Sequence, residues 1–161
     1  MNEEMFWETI ESSWKDSPEL YKLRSEALET NDEELLEALS EELEEEILEN
    51  YNKRLFSLDK EKLTKFIHIL EEKLFNIDRE EIQEYTDGSD DGFLYGRCFI
   101  VGIGEQYYNL IDKNPSKATM DLEAENFGFS AYTIYQQKFG EEFERNSIHC
   151  IESCSNPQGW N

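Results

Sequence analysis

The stretch that decides the fold is NDEELLEALSEELEEEILENYNKRLF, residues 31–56. Apolar residues recur in it every four positions, as they do along one face of an amphipathic helix. They are Leu35, Leu39, Leu43, Ile47, Tyr51 and Leu55, and Leu36 and Leu48 widen the stripe. Asn31 is suited to cap the start of a helix, and the acids at 32–34 favour its positive end. We therefore predict one long helix that buries its leucine stripe and exposes its acids.

The acids of this stretch form the first candidate functional surface. Ten acidic residues lie between positions 32 and 49, with no lysine or arginine among them. Like charges four residues apart on a helix destabilise it by a few tenths of a kcal/mol each, so burial of the leucines must outweigh the repulsion. We predict that Glu37, Glu41, Glu44 and Glu45 bind a basic protein partner. The alternative is that the acids serve only solubility.

The rest of the chain also predicts helices and no strand. Apolar periodicity or capping residues indicate helices at about 2–14, after Pro18, and within 58–75, 78–85, 90–111 and 125–140. The segment 90–111 is apolar nearly all round, which is typical of a helix at the centre of a domain. We expect an all-α, single-domain helical bundle over residues 1–140. Residues 141–161 are expected to be a C-terminal extension, partly ordered at best.

The second candidate site lies in TDGSDDGFLYGR, residues 86–97. Ser89 is suited to be a helix N-cap, with Asp90 and Asp91 in the first turn, where carboxylates meet the positive helix end. Arg97 lies two turns further along the same face, roughly 10 Å from Asp90. A buried arginine requires a carboxylate, a carbonyl group or a ligand as its partner. The stretch is thus either the start of a buried helix or a small-molecule site, with Tyr95, Tyr107 and Tyr132 as further lining residues.

Composition excludes several classes of function. The 161 residues carry 38 acids and 15 bases, a net charge of −23, which disfavours direct binding to nucleic acid or anionic lipid. No apolar run is long enough to span a membrane, and the start lacks the basic segment of a secretion signal. The odd set of three cysteines indicates reduced thiols and a cytoplasmic location. Cys150 and Cys154, with His149, are too few to make a structural zinc site, so no metal or cofactor is predicted and the role of the two cysteines stays open.

Three segments resemble one uncharacterised bacterial family. They are EEMFWETIESS at 3–13, LDKEKLTKF at 58–66 and GSDDGFLYGRCFIVGIGEQYYNLIDKNP at 88–115. The family is known as domain of unknown function four-two-four-zero, and its pattern is matched by Ser89, Asp90, Asp91, Phe93, Arg97, Gly104 and Pro115. The chain departs from that pattern at Gly96 and Phe99, and in the acidic helix before residue 55. The resemblance implies a small, mostly helical cytosolic protein and transfers no activity.

These observations favour an interaction protein over an enzyme. The leading hypothesis is an acidic helical protein that binds a basic protein partner, for example an immunity or inhibitor protein that neutralises a toxin or another effector. The first alternative is the small-molecule or enzymatic site around Asp90, Asp91 and Arg97. The second is a nucleic-acid mimic built from the acidic face. The sequence leaves the oligomeric state and the identity of the partner open.

Overall fold

The computed structural model describes residues 1–161 and contains nine α-helices and no strand. The helices are α1 Glu3–Lys15, α2 Pro18–Thr30, α3 Glu33–Leu43, α4 Glu46–Phe56, α5 Lys60–Asn76, α6 Glu80–Gln83, α7 Asp90–Ile103, α8 Glu105–Lys113 and α9 Glu125–Phe139. A short 3₁₀ helix, Pro115–Lys117, follows α8. The prediction of an all-α helical bundle is confirmed. None of these helices combines the length and the apolar character that a membrane span requires.

The centre of the bundle is α7. Eleven of its fourteen residues are buried, and it packs against α3, α5, α8 and α9. Its polar residues lie mainly at its start, where the side chain of Ser89 accepts a hydrogen bond from the backbone N–H of Gly92. A helix that is apolar all round can only be stable when other helices surround it. The central position predicted for this segment is therefore confirmed.

The predicted continuous helix from residue 31 to 55 is wrong, because two helices, α3 and α4, meet there at a break. The backbone leaves the helical conformation at Glu45, with φ −125° and ψ −95°. The N-cap of α3 is Asp32, whose side chain accepts from the N–H of Leu35. Asn31, which was predicted to be this cap, instead ends α2 in the left-handed conformation. The leucine stripe survives the break, since Leu36, Leu39, Leu43, Ile47, Tyr51 and Leu55 are all buried. Leu35 and Leu48 flank the stripe and are half-buried.

The predicted helix 90–111 is also two helices, separated by Gly104. This residue has φ 120° and ψ 178°, a conformation that is open essentially to glycine alone. Carbonyl groups at the end of α7 then accept hydrogen bonds from side chains instead of from helical N–H groups. Trp14 Nε1 donates to the carbonyl of Gly102, and Arg24 Nη1 donates to that of Ile103, each at 2.9 Å. Both donors come from helices distant in sequence, so periodicity within 90–111 does not reveal the break.

α7 and α9 pack tightly at Cys98 and Gly128. A Cβ atom added at Gly128 would lie 2.2 Å from Cys98 Sγ and 3.0 Å from Cys98 Cβ. We predict that Gly128→Ala lowers the free energy of unfolding by about 1–3 kcal/mol through overpacking. We expect Cys98→Ala to recover part of this loss in the double variant, as measured by chemical denaturation. Gly88→Ala, where the added atom meets nothing within 4 Å, is the matched control. Strict additivity of the two substitutions would contradict the predicted contact.

Residues 146–160 are fastened to the bundle by three ionisable side chains that are fully buried, Glu71, Asp78 and Arg97. Glu71 Oε2 accepts from the N–H of Asn146 at 3.0 Å. The Asp78 carboxylate accepts from the backbone N–H groups of residues 154, 155 and 156 at 2.7–3.0 Å, and Trp160 Nε1 donates to it at 3.1 Å. We call these three side chains the C-terminal clasp. The division into a domain at 1–140 and an extension at 141–161 stays a prediction.

Candidate functional site

We use the name acidic ridge for the exposed acids between the start of α3 and the first residue of α4. Its members are Glu33, Glu34, Glu37, Glu41, Glu45 and Glu46, all of them exposed. Successive residues of a helix are rotated by about 100°, which places the four ridge acids of α3 within an arc of about 100°. The buried leucines of the same helix lie on the opposite side. The ridge therefore faces solvent, as the sequence predicts for Glu37, Glu41 and Glu45.

The charge of the acidic ridge is not compensated by the protein's own bases. Of all the ion pairs in the structure, only Glu49 with Lys53 involves an acid of α3 or α4, at 3.1 Å. No lysine or arginine occurs between residues 25 and 52. Carboxylates crowded in this way repel one another, and a positively charged surface would relieve the repulsion. The ridge therefore carries a local negative charge that no ion pair offsets.

Glu44, the fourth predicted partner-binding acid, already has an intramolecular role. Its carboxylate accepts from the backbone N–H groups of Asn126 and Phe127, at 3.0 and 2.8 Å. These are unpaired donors in the first turn of α9, where the helix dipole also favours a negative charge. Burial raises the pKa of Glu44, and the two N–H donors oppose that shift. The break between α3 and α4 lies beside this contact, which only the tertiary structure reveals.

We predict that Glu44→Ala lowers the free energy of unfolding by about 1 kcal/mol, because two N–H groups of α9 lose their acceptor. Glu45→Ala is the matched control, since Glu45 is the next residue, is exposed and makes no ion pair; its effect should stay within about 0.5 kcal/mol. Urea denaturation of both variants provides the comparison. Equal effects of the two substitutions would show that Glu44 does not cap α9.

The structure separates Arg97 from the carboxylates of Asp90 and Asp91. Both aspartates are exposed in the first turn of α7, whereas Arg97 is fully buried. The guanidinium donates to the carbonyls of Leu74 and Ile151 at 2.8 and 2.9 Å, and to Ser153 Oγ at 3.2 Å. Burial lowers the pKa of Arg97, and the nearby Asp78 carboxylate opposes that shift. The arginine therefore links α5, through the Leu74 carbonyl, to the C-terminal segment, through the Ile151 carbonyl and the Ser153 hydroxyl.

The three tyrosines proposed with that site lie in different environments. Tyr95 is half-buried, and its ring meets that of Phe129 edge-on. Tyr107 is buried, and burial raises its pKa to about 12. Tyr132 is also buried, and its hydroxyl donates to Glu71 Oε2 at 2.7 Å. Tyr95 and Tyr132 both pack against Phe129, and none of the three tyrosines donates to or accepts from Arg97.

A cleft of about 500 Å³ adjoins the acidic ridge, between α3 and residues 116–122. We call it the α3 cleft. Its lining comprises Glu33, Glu34, Glu37, Tyr85, Ser116, Ala118, Thr119, Met120, Asp121 and Leu122. Of these residues, only Glu37 was predicted from the sequence to belong to a site. A tyrosine or a methionine among polar residues, as at Tyr85 and Met120, is the one sequence feature that could have indicated the other lining residues.

A second cleft, of about 380 Å³, lies beside Arg24. Arg24 is buried, and its Nη2 donates to both oxygens of Glu11 at 2.7 Å. The guanidinium also lies 5.2 Å from the ring centroid of Trp14. With the bond to Ile103 described above, these contacts give Arg24 a structural role at the junction of α1, α2 and α7.

Together these features define a small all-α protein with an uncompensated acidic surface and an adjoining cleft. The chain matches, over residues 1–141, the family model described as "Protein of unknown function (DUF4240)", and it therefore belongs to this family. The family membership expected from the sequence is thus confirmed. No curated protein and no solved structure matches the chain.

Proposed function

We propose that this protein binds a basic protein partner through the acidic ridge. The observation that carries the proposal is that six exposed glutamates, from the start of α3 to the first residue of α4, make no ion pair within the molecule. Their mutual repulsion lowers the stability of both helices, and a cationic surface would convert that cost into binding free energy. One concrete form is a cytoplasmic immunity or inhibitor protein that covers the basic surface of a toxin or another effector.

Charge also determines how such a complex would form. Complementary fields speed the encounter of two proteins and make the association rate fall steeply with salt. A net charge of −23 keeps the protein away from nucleic acid, while it attracts proteins that themselves bind nucleic acid. If the partner is a nuclease or a DNA-binding protein, the ridge would compete with the phosphate backbone for the same basic residues.

The experiment compares the wild type with a ridge variant, Glu37→Lys/Glu41→Lys/Glu45→Lys, which leaves the helix cap Glu44 intact. Each immobilised protein is exposed to an extract of the native host at low salt, and the retained proteins are identified by mass spectrometry. We expect a basic protein that the wild type retains and the ridge variant does not. It is then purified and shown to bind directly. Retention of the same proteins by both forms would refute the proposal.

A further inference from the structure

We infer that the α3 cleft is the docking site for a segment of the partner that carries both basic and apolar side chains. The inference rests on the proposed function and adds where the partner binds and which kinds of side chain it inserts. It makes binding local, at one end of the acidic ridge, whereas the proposed function alone would allow contact along the whole of α3 and α4.

The charge of the cleft is negative on both of its walls. Glu33, Glu34 and Glu37 line it from α3, and Asp121 lines it from the opposite segment. None of the four is in an ion pair, and no lysine or arginine lines the cleft. A concave site with charges of one sign focuses the electric field, so a guanidinium or ammonium group is attracted more strongly there than on a flat surface.

The cleft also exposes apolar surface. Tyr85 is 40% exposed and Met120 is 52% exposed, and these are two of the five large hydrophobic side chains that the whole molecule leaves in solvent. Aromatic and methionine side chains are enriched in protein interfaces, where they surround a central anchor. Methionine in particular adapts its shape to the residue that it contacts. Apolar groups beside four carboxylates therefore favour a ligand that is itself amphipathic.

The walls of the cleft are fixed in place by hydrogen bonds, so the site exists before anything binds. Asn31 Nδ2, at the end of α2, donates to the carbonyl of Lys117 at 2.9 Å. The N–H of Asp121 donates to the carbonyl of Thr86 at 2.8 Å. A preformed site loses less conformational entropy on binding than one that must be ordered. The volume of about 500 Å³ also lies within the range of established ligand sites.

A peptide segment fits these features better than a small polyamine does. A polyamine could neutralise the carboxylates, but it carries few apolar groups that would cover Tyr85 and Met120. A protein segment supplies arginine or lysine for the two acidic walls and a leucine, methionine or aromatic residue for the exposed apolar pair. We therefore assign the cleft to a protein segment.

The test uses the methionine methyl groups as reporters. The chain has three methionines, so protein labelled with ¹³C at these methyls gives one signal each for Met1, Met5 and Met120, and Met120→Leu assigns the third. The probe is a synthetic peptide of about twelve residues in which arginine alternates with leucine and tryptophan. A second peptide has serine in place of the apolar residues, and spermine is the third probe.

We expect the amphipathic peptide to shift the Met120 signal and to leave Met1 and Met5 unchanged. We expect the serine peptide and spermine to bind at least about tenfold more weakly. The cleft variant Glu33→Gln/Glu34→Gln/Glu37→Gln should weaken the amphipathic peptide by about tenfold or more. The matched control, Glu41→Gln/Glu45→Gln/Glu46→Gln, removes as many charges outside the cleft and should weaken it by less than about threefold.

Three results would overturn the inference: an unmoved Met120 signal, equal binding of all three probes, or equal effects of the two triple variants. Each would leave the proposed function standing if the natural partner is still lost from the ridge variant. Conversely, a peptide that binds in the cleft while the ridge variant retains every host protein would refute the proposed function and not the cleft.

Discussion

Replacing Asp78 by alanine is expected to lower the free energy of unfolding by about 3–5 kcal/mol. The carboxylate is fully buried and accepts from three consecutive backbone N–H groups of the C-terminal segment and from Trp160 Nε1. Buried donors that lose their acceptor cost about 1–3 kcal/mol each. Removal of Asp78 also removes the carboxylate that most favours the charged form of the buried Arg97. Few single substitutions in this chain should have a larger effect.

Urea denaturation measures the loss, and amide hydrogen exchange shows where it arises. We expect the amides of Cys154, Ser155 and Asn156 to lose protection before the helices do, because the segment is released first. Gln158→Ala is the control, since it removes an exposed side chain from the same segment and should change stability by less than about 0.5 kcal/mol. A loss below about 1 kcal/mol for Asp78→Ala, with all three amides still protected, would contradict the role given to the C-terminal clasp.

The second large effect concerns binding. Each glutamate-to-lysine change on the acidic ridge replaces an attraction to a basic surface by a repulsion, and about 1 kcal/mol for each is typical of charges at the rim of an interface. The ridge variant with lysine at positions 37, 41 and 45 should therefore bind the partner about 100-fold more weakly than the wild type. Most of this difference should be lost at high salt, where the charges are screened.

The ridge variant changes the net charge by six, so its control must do the same. Glu142, Glu144 and Glu152 are exposed, belong to the C-terminal segment and make no ion pair, and their replacement by lysine changes the total equally. We expect this control variant to weaken binding by less than about fivefold, through the long-range field alone. Isothermal titration calorimetry at about physiological salt compares the three proteins.

Helix identity and the inward side of each helix could be predicted from the sequence, because apolar periodicity reflects burial directly. Leu39, Leu43, Ile47 and Leu55 are buried as predicted. The two helix breaks could not be predicted in the same way. At Gly104 side chains from other helices donate to the carbonyls at the end of α7, and beside Glu45 the Glu44 carboxylate accepts from the N–H groups at the start of α9; such partners leave no trace in local spacing.

The predicted candidate sites show a similar limit. The exposure of Glu37, Glu41 and Glu45 follows from their helical phase, whereas the capping contact of Glu44 depends on where α9 begins. From the sequence, Arg97 could be either a ligand-binding or a buried residue. Only the structure shows that it donates to the carbonyls of residues 74 and 151. The α3 cleft joins residues about 85 positions apart, which requires the folded arrangement.

Binding through the acidic ridge is best tested by one ratio: the dissociation constant of the ridge variant divided by that of the C-terminal control, measured with the same purified partner. Because both variants carry the same net charge, the ratio reports position alone. An uncompensated ridge that contacts the partner predicts a value of about 20 or more. A ratio near one would mean that only total charge matters, and the ridge on α3 and α4 would not be the binding surface.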